Sequence, residues 1–190
     1  VSAAVQNNTV TLALVQSGTN TVTLSNASNN TYSGGTTISA GTVSVSADAN
    51  LGATPGSAVA ANITLNGGEL LLTTNSVTIN SNRGITLGAS GGKLSSAASK
   101  TLTYGGLITG STGLTIGSSG NTGTVLLSGN STSFTGSTTV AYGTLAISTN
   151  GALGTTAGGT SVNGGATLDL RGVVYSTTES LTLAANSTLQ

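Results

Sequence analysis

One pattern runs through the chain from end to end, a unit of aliphatic, small, aliphatic residues. It recurs as Val22-Thr23-Leu24, Val43-Ser44-Val45, Ile63-Thr64-Leu65, Val77-Thr78-Ile79, Ile85-Thr86-Leu87, Leu114-Thr115-Ile116, Leu145-Ala146-Ile147 and Leu181-Thr182-Leu183. Alternation with period two belongs to a strand with one buried face. Between the units stand Asn66-Gly67-Gly68, Asn163-Gly164-Gly165 and other Gly-, Asn- and Ser-rich runs, whose residues tolerate the positive backbone angles of turns. No stretch carries a helical apolar stripe of useful length, so the chain is all-β.

The spacing of these units selects the architecture. Ile63, Leu70, Val77 and Ile85 follow one another at intervals of 7, 7 and 8 residues, 22 in all. Three short strands in that length describe one coil of a β-helix, whereas antiparallel sandwiches use longer strands with turn signals every ~8–12 residues. A single coil buries too few side chains to offset the ordering of its own backbone, so coils must stack and hydrogen-bond in parallel. The expectation is a parallel β-solenoid of roughly 20–25 residues per coil.

Composition narrows the functional classes. Ser, Thr, Asn and Gly supply 109 of 190 residues and charged residues only 4%, so the surface is built from hydroxyls and amides. Leu, Val, Ile and Phe still supply 44 residues, and with zero formal net charge the chain lacks the signature of disorder. His, Cys, Met and Trp are absent, which removes the usual nitrogen and sulfur metal ligands, the thiol nucleophile, the imidazole base and any disulfide. Neither a metal site nor a cofactor site is expected. Arg83, Lys93, Lys100 and Arg171 stand far apart, so nucleic acid and anionic membranes find no basic patch. No run approaches the roughly 18 apolar residues of a membrane span; the longest candidate, Val10 to Val15, contains Thr11, and no membrane insertion by this segment is expected. The opening VSAAVQNN has neither Met nor a basic or apolar leader, as expected of mature protein or an excised segment.

The chain also repeats itself. Residues 30–45, NTYSGGTTISAGTVSV, align with 132–147, TSFTGSTTVAYGTLAI, at an offset of 102. Tyr32 matches Phe134, Gly34 matches Gly136, Thr36-Thr37 match Thr138-Thr139, and Gly41-Thr42 match Gly143-Thr144. Asp48 to Gly52 and Asn150 to Gly154 both end in Leu-Gly; beyond them the offset falls to 97, because the first copy has five extra residues around the only proline, Pro55. An aromatic followed by Ser/Thr-Gly, Thr-Thr, Gly-Thr, an alternating strand, Leu-Gly and Asn-Gly-Gly resembles the autotransporter-associated β-strand repeat, also called the passenger-associated transport repeat. The resemblance is good over about residues 25–72 and 127–172. It implies a right-handed parallel β-helix in the secreted passenger region of bacterial surface proteins, serving as a stalk and aiding passage through the outer membrane. It brings no catalytic residues, and it implies a C-terminal membrane barrel, for which this chain has no counterpart. Residues 1–190 are therefore expected to be a single β-solenoid segment of a longer chain or assembly.

Chemical motifs are sparse. Gly88-Ala89-Ser90-Gly91-Gly92-Lys93 approaches a phosphate-binding loop, but its glycine spacing is one short and Leu94 replaces the magnesium-binding hydroxyl. Ser90 and Lys93 also have the Ser-x-x-Lys spacing of penicillin-binding enzymes, yet two intervening glycines spoil the helix that pair requires. Both read as a turn between coils. Polysaccharide-cleaving β-helices gather carboxylates in a groove, and here only Asp48, Glu69, Asp169 and Glu179 are available. Asp169 and Arg171 read as a surface ion pair. Glu69 has no assignable face, because Leu70, Leu71 and Leu72 obscure the alternation. Sequons at Asn7, Asn26, Asn29, Asn62, Asn130 and Asn186 match what so much Ser and Thr produces by chance. Thr-x-Thr at Thr9, Thr21 and Thr101 is too scattered for an ice-binding array, and Tyr32 and Phe134 read as packing residues rather than sugar-stacking ones.

The expected function is a non-catalytic, secreted or cell-surface stalk, fibre or adhesin passenger. Open strand edges allow end-to-end self-association into filaments, and a cell-surface or glycan receptor is a candidate partner. The alternative is a carbohydrate-binding or carbohydrate-cleaving β-helix.

Overall fold

The computed structural model describes residues 5–6, 10–25, 30–74, 76–173 and 179–190. Its chain winds as a parallel β-solenoid with three faces and almost no helix. Face 1 holds β1 (Leu14–Gln16), β3 (Thr36–Ile38), β5 (Val59–Leu65), β8 (Arg83–Leu87) and β11 (Ile108–Thr109). Face 2 holds β2 (Thr21–Leu24), β4 (Thr42–Val45), β6 (Glu69–Leu72), β9 (Gly92–Ser96), β12 (Leu114–Ile116), β14 (Thr138–Val140), β16 (Thr160–Val162) and β18 (Leu181–Leu183). Face 3 holds β7 (Val77–Ile79), β10 (Thr101–Tyr104), β13 (Thr124–Leu127), β15 (Thr144–Ile147), β17 (Thr167–Leu170) and β19 (Thr188–Leu189). A 3-10 helix, Asp48–Leu51, packs against β4 and β7.

The coil inferred from spacing is the coil observed. Ile63, Leu70 and Val77 lie on three different faces, and Ile63 pairs in register with Ile85 one turn later. Successive turns advance by 20 residues at Thr124 to Thr144 and by 25 at Val77 to Leu102. One turn exceeds the expected length: Thr36 pairs with Ile63 and Thr42 with Glu69, a step of 27 in both cases. The extra residues around Pro55 loop outward, and β5 absorbs the remainder as an irregularity between Val59 and Ile63.

Register turns the alternating pattern into a continuous core. On face 2, Val22, Val43, Leu70, Leu94, Ile116, Val140, Val162 and Leu183 stack one upon the next through all eight strands, the six from Val43 to Val162 buried and Leu183 exposed at the last rung. Their neighbours on the other side of the pleat form a hydroxyl-rich column that includes Thr115, Thr139, Ser161 and Thr182. Every inner strand satisfies its backbone on both sides, above and below, so no single rung stands without its neighbours. The ambiguous leucine run resolves here: Leu70 and Leu72 join the core, while Glu69 and Leu71 point away from it.

The two sequence repeats do not lie above one another. In the first copy β3 and β4 occupy faces 1 and 2; in the second, the matching β14 and β15 occupy faces 2 and 3. An offset of 102 residues is thus four turns and one further face. The strandless segment of each repeat moves with it. It replaces a face 3 strand in the early coils, where that sheet has yet to begin at β7, and a face 1 strand in the later coils, where that sheet has ended at β11. Only face 2 runs uninterrupted.

This core predicts a sharp asymmetry between the two sides of one strand. Ile116→Ala, at a side chain that is fully buried, should cost about 2–5 kcal/mol, whereas Thr115→Ala beside it should stay within about 0.5 kcal/mol. Urea titration followed by circular dichroism reads both.

Candidate functional site

The part of the repeat with the most specific chemistry is its strandless corner. Tyr32 and Phe134 are each 1% exposed, so both pack inside, as their equivalence suggested. Twenty residues after each aromatic the chain returns as Leu51-Gly52 or Leu153-Gly154, with both leucines buried. The carbonyl of Tyr32 accepts from Ala53 N at 2.9 Å and that of Phe134 from Thr155 N at 2.9 Å. Gly52 (φ +83°) and Gly154 (φ +94°) cross directly over the aromatic beneath, where any Cβ would collide with its carbonyl and ring. The Leu-Gly of the repeat is therefore the partner of the preceding coil's aromatic.

At the aromatic itself the two corners differ by one oxygen. The Tyr32 hydroxyl bonds the buried Thr36 hydroxyl at 2.8 Å. Burial raises the Tyr32 phenol above its ordinary range, against the opposing pull of Thr36 and the Arg83 charge. In the second copy Phe134 offers no hydroxyl, and the Thr138 oxygen, four residues on as Thr36 is from Tyr32, has no hydrogen-bond partner among the described residues.

The first copy carries a further device. Arg83, at the start of β8, is 0% exposed, and its guanidinium reaches down into the previous coil. Its Nε donates to Asp48 Oδ1 at 2.8 Å, Nη1 to Leu51 O at 2.9 Å and Asn62 Oδ1 at 3.1 Å, and Nη2 to Gly52 O at 2.7 Å. A planar fork with five donors can gather so many acceptors where an ammonium cannot. Asp48 also accepts from Asn80 N at 3.0 Å, and Asn50 Oδ1 accepts from Ser46 N and Ala47 N at 2.9 Å each. This clasp holds the 3-10 helix against the core at the point where face 3 has no strand. Sequence reading gave Arg83 no role. Asn150 stands in place of Asp48 in the second copy, so the alignment itself marked the difference. One turn above, the Tyr104 hydroxyl shares its single proton between Arg83 O at 2.7 Å and Leu107 O at 2.8 Å, and burial drives its phenol well above the ordinary tyrosine range.

The other candidates fall into place as turn and surface features. Residues 88–91 form the corner between β8 and β9, with Gly91 at φ +66° and Asn66 Oδ1 accepting from Ser90 N at 3.0 Å, while Gly92 and Lys93 already belong to β9; no helix follows. The four carboxylates are dispersed. Glu69 accepts from the Ser118 hydroxyl at 2.6 Å, Glu179 from the Thr160 hydroxyl at 2.7 Å, and Asp169 pairs with Arg171 at 2.9 Å across an exposed surface, as its spacing suggested. No group of three or more acidic residues capable of holding a metal occurs among the described residues. No described helix is long and apolar enough to cross a membrane. Asn62 is 5% exposed and holds Arg83, while Asn130 and Asn186 lie on the surface; the sequons at Asn7, Asn26 and Asn29, and Thr9, lie outside the described residues. The Thr-x-Thr pairs at Thr21 and Thr101 sit on different faces. Threonines nevertheless align across coils: Thr101, Thr124, Thr144, Thr167 and Thr188 form one column on face 3, and Thr37, Thr64, Thr86 and Thr109 another on face 1. Thr-x-Thr pairs within a strand carry no trace of these columns, whose members stand 20 to 27 residues apart.

Parallel coils, an unbroken aliphatic core and stacked aromatic corners define a repeat protein of the β-solenoid class. A family model described as the passenger-associated-transport-repeat matches residues 14–45 and 120–147. The chain carries this autotransporter passenger repeat in two places, and the repeat is a structural one. Proteins built on it are, in general terms, borne on the cell surface or secreted. No curated protein and no solved structure matched the chain.

Two results would test the corner chemistry. Phe134→Tyr should supply the hydroxyl that Thr138 lacks and raise stability by about 0.5–1.5 kcal/mol; a loss would mean that the second corner has no room for it. Arg83→Met should cost roughly 3–5 kcal/mol, because it strands Asp48 and the backbone carbonyls of Leu51 and Gly52. Guanidinium denaturation midpoints give both values.

Proposed function

We propose that this chain is an extracellular, non-catalytic rod in the passenger of a bacterial autotransporter, serving as the stalk that carries more distal parts away from the cell. The observation that carries the reading is the uninterrupted face 2, eight parallel strands joined rung to rung. Seven spacings of about 4.8 Å make that sheet roughly 34 Å long. Length in such a structure grows by adding rungs, with no new fold to specify. The scarcity of charge supports a role outside the cell as well: of four trypsin sites, Arg83 is fully buried. Dispersed carboxylates, each already bonded within its own neighbourhood, favour the structural reading over a polysaccharide-cleaving one. End-to-end stacking into a filament is a second use of the same geometry, since a parallel edge pairs with another.

Rung-by-rung stacking also suits export, because each coil that emerges can fold onto the last and resist slipping back. Fusing an N-terminal epitope to this chain and the chain to a membrane-barrel translocator in a Gram-negative host tests the reading. The epitope should be accessible on intact cells, and Ile116→Asp, which places a charge in the core column, should reduce display several-fold. Equal display of the two, or retention of the wild type in the periplasm, would overturn it.

A further inference from the structure

We propose that the corner between faces 2 and 3 carries a binding site for a neutral polysaccharide, centred on Tyr142. This residue is 46% exposed, whereas Tyr32 and Tyr104 are each 1% exposed. It stands beside an open groove of about 340 Å³ lined by Thr122, Tyr142, Gly143, Thr144, Gly165 and Thr167 among others. That volume lies at the lower end of the range of ligand clefts and suits a few sugar rings.

The groove is assembled by the stacking of coils. Thr124, Thr144 and Thr167 are in register, so the corners before them, Thr122, Tyr142-Gly143 and Gly164-Gly165, follow one another along the rod. Consecutive corners lie about 4.8 Å apart, close to the length of a pyranose ring, which makes the groove periodic along its axis. Gly143 has φ +68°, and a Cβ there would strike the Thr122 and Gly123 backbone, so this part of the floor stays free of side chains. A flat ligand can therefore approach the backbone closely.

The chemistry selects the ligand. No residue lining the groove is charged, which disfavours phosphate, sulfate, uronate and basic peptide. The side-chain hydroxyls of Thr122, Tyr142, Thr144 and Thr167 bond to no other described residue. Each can donate one hydrogen bond and accept others, which matches a molecule that is itself covered in hydroxyls. Tyr142 adds an apolar ring face for the C–H side of a sugar and a polar tip for its edge. Tyr32 and Phe134 cannot take this role, because both rings are buried in the corners. The exposed aromatic falls at the turn of the second repeat, where the first copy has Ala40.

The site is independent of the stalk reading, since ligand binding does not need export and export does not need a ligand. Native gel electrophoresis through soluble dextran, mixed-linkage β-glucan or galactomannan, with alginate as the acidic control, tests it. The wild type should be retarded by at least one neutral polymer and run freely in alginate. Tyr142→Ala should lose most of that retardation, Tyr142→Phe should keep most of it, and Thr144→Val should weaken it several-fold with an unchanged circular dichroism spectrum. Free migration of the wild type in every neutral polymer, retardation by alginate alone, or equal retardation of wild type and Tyr142→Ala would overturn the assignment.

Discussion

Parallel hydrogen bonding between consecutive turns is the constraint on which everything else in this molecule depends. The strands are two to seven residues long, too short to hold a sheet by themselves. Each gains its stability from the rungs above and below, and those rungs stay in register only because aliphatic side chains share one interior column. Where a strand is missing, something else must close the gap. The repeat closes it with an aromatic in one coil and a Leu-Gly crossing in the next. The first copy adds a buried arginine that bonds the Asp48 carboxylate, the Asn62 amide and backbone carbonyls of the strandless segment, Leu51 O and Gly52 O among them.

The outer surface follows from the same register. Because each inward aliphatic has an outward neighbour, a stack that aligns core residues also aligns whatever lies outside, and here that is mostly threonine. Threonine suits the position twice, since its branched Cβ favours the strand while its hydroxyl faces water. The resulting columns of hydroxyls, with few charges between them, form a surface that is uniform along the rod. Its departures from uniformity are informative. Tyr142 breaks the pattern at a corner, and Glu69 is covered by the loop that carries Ser118.

Much of this was legible in the residues. The Ile63, Leu70, Val77 and Ile85 spacing specified three faces and a 22-residue turn, and the match between Tyr32 and Phe134 marked both as interior. The Asp169 and Arg171 pairing followed from alternation alone. Other features were not legible, for physical reasons. Arg83 looks like any surface arginine until the coil beneath it presents Leu51, Gly52 and Asn62 as acceptors. The threonine column on face 3 joins residues 20 to 23 positions apart, at intervals set by corner lengths that vary from turn to turn.

The amino-acid order by itself determined that this chain would be a β-solenoid: period-two triplets at seven- to eight-residue intervals, with glycine and asparagine between them, leave few other ways to bury the aliphatic residues. Only the tertiary structure decided which face each triplet occupies. The three faces use the same local pattern, so a strand's address depends on the running count of turns and corners before it. That count places the second repeat one face around from the first, ends one sheet at β11 and begins another at β7, and brings Thr122, Tyr142 and Gly165 to a common groove.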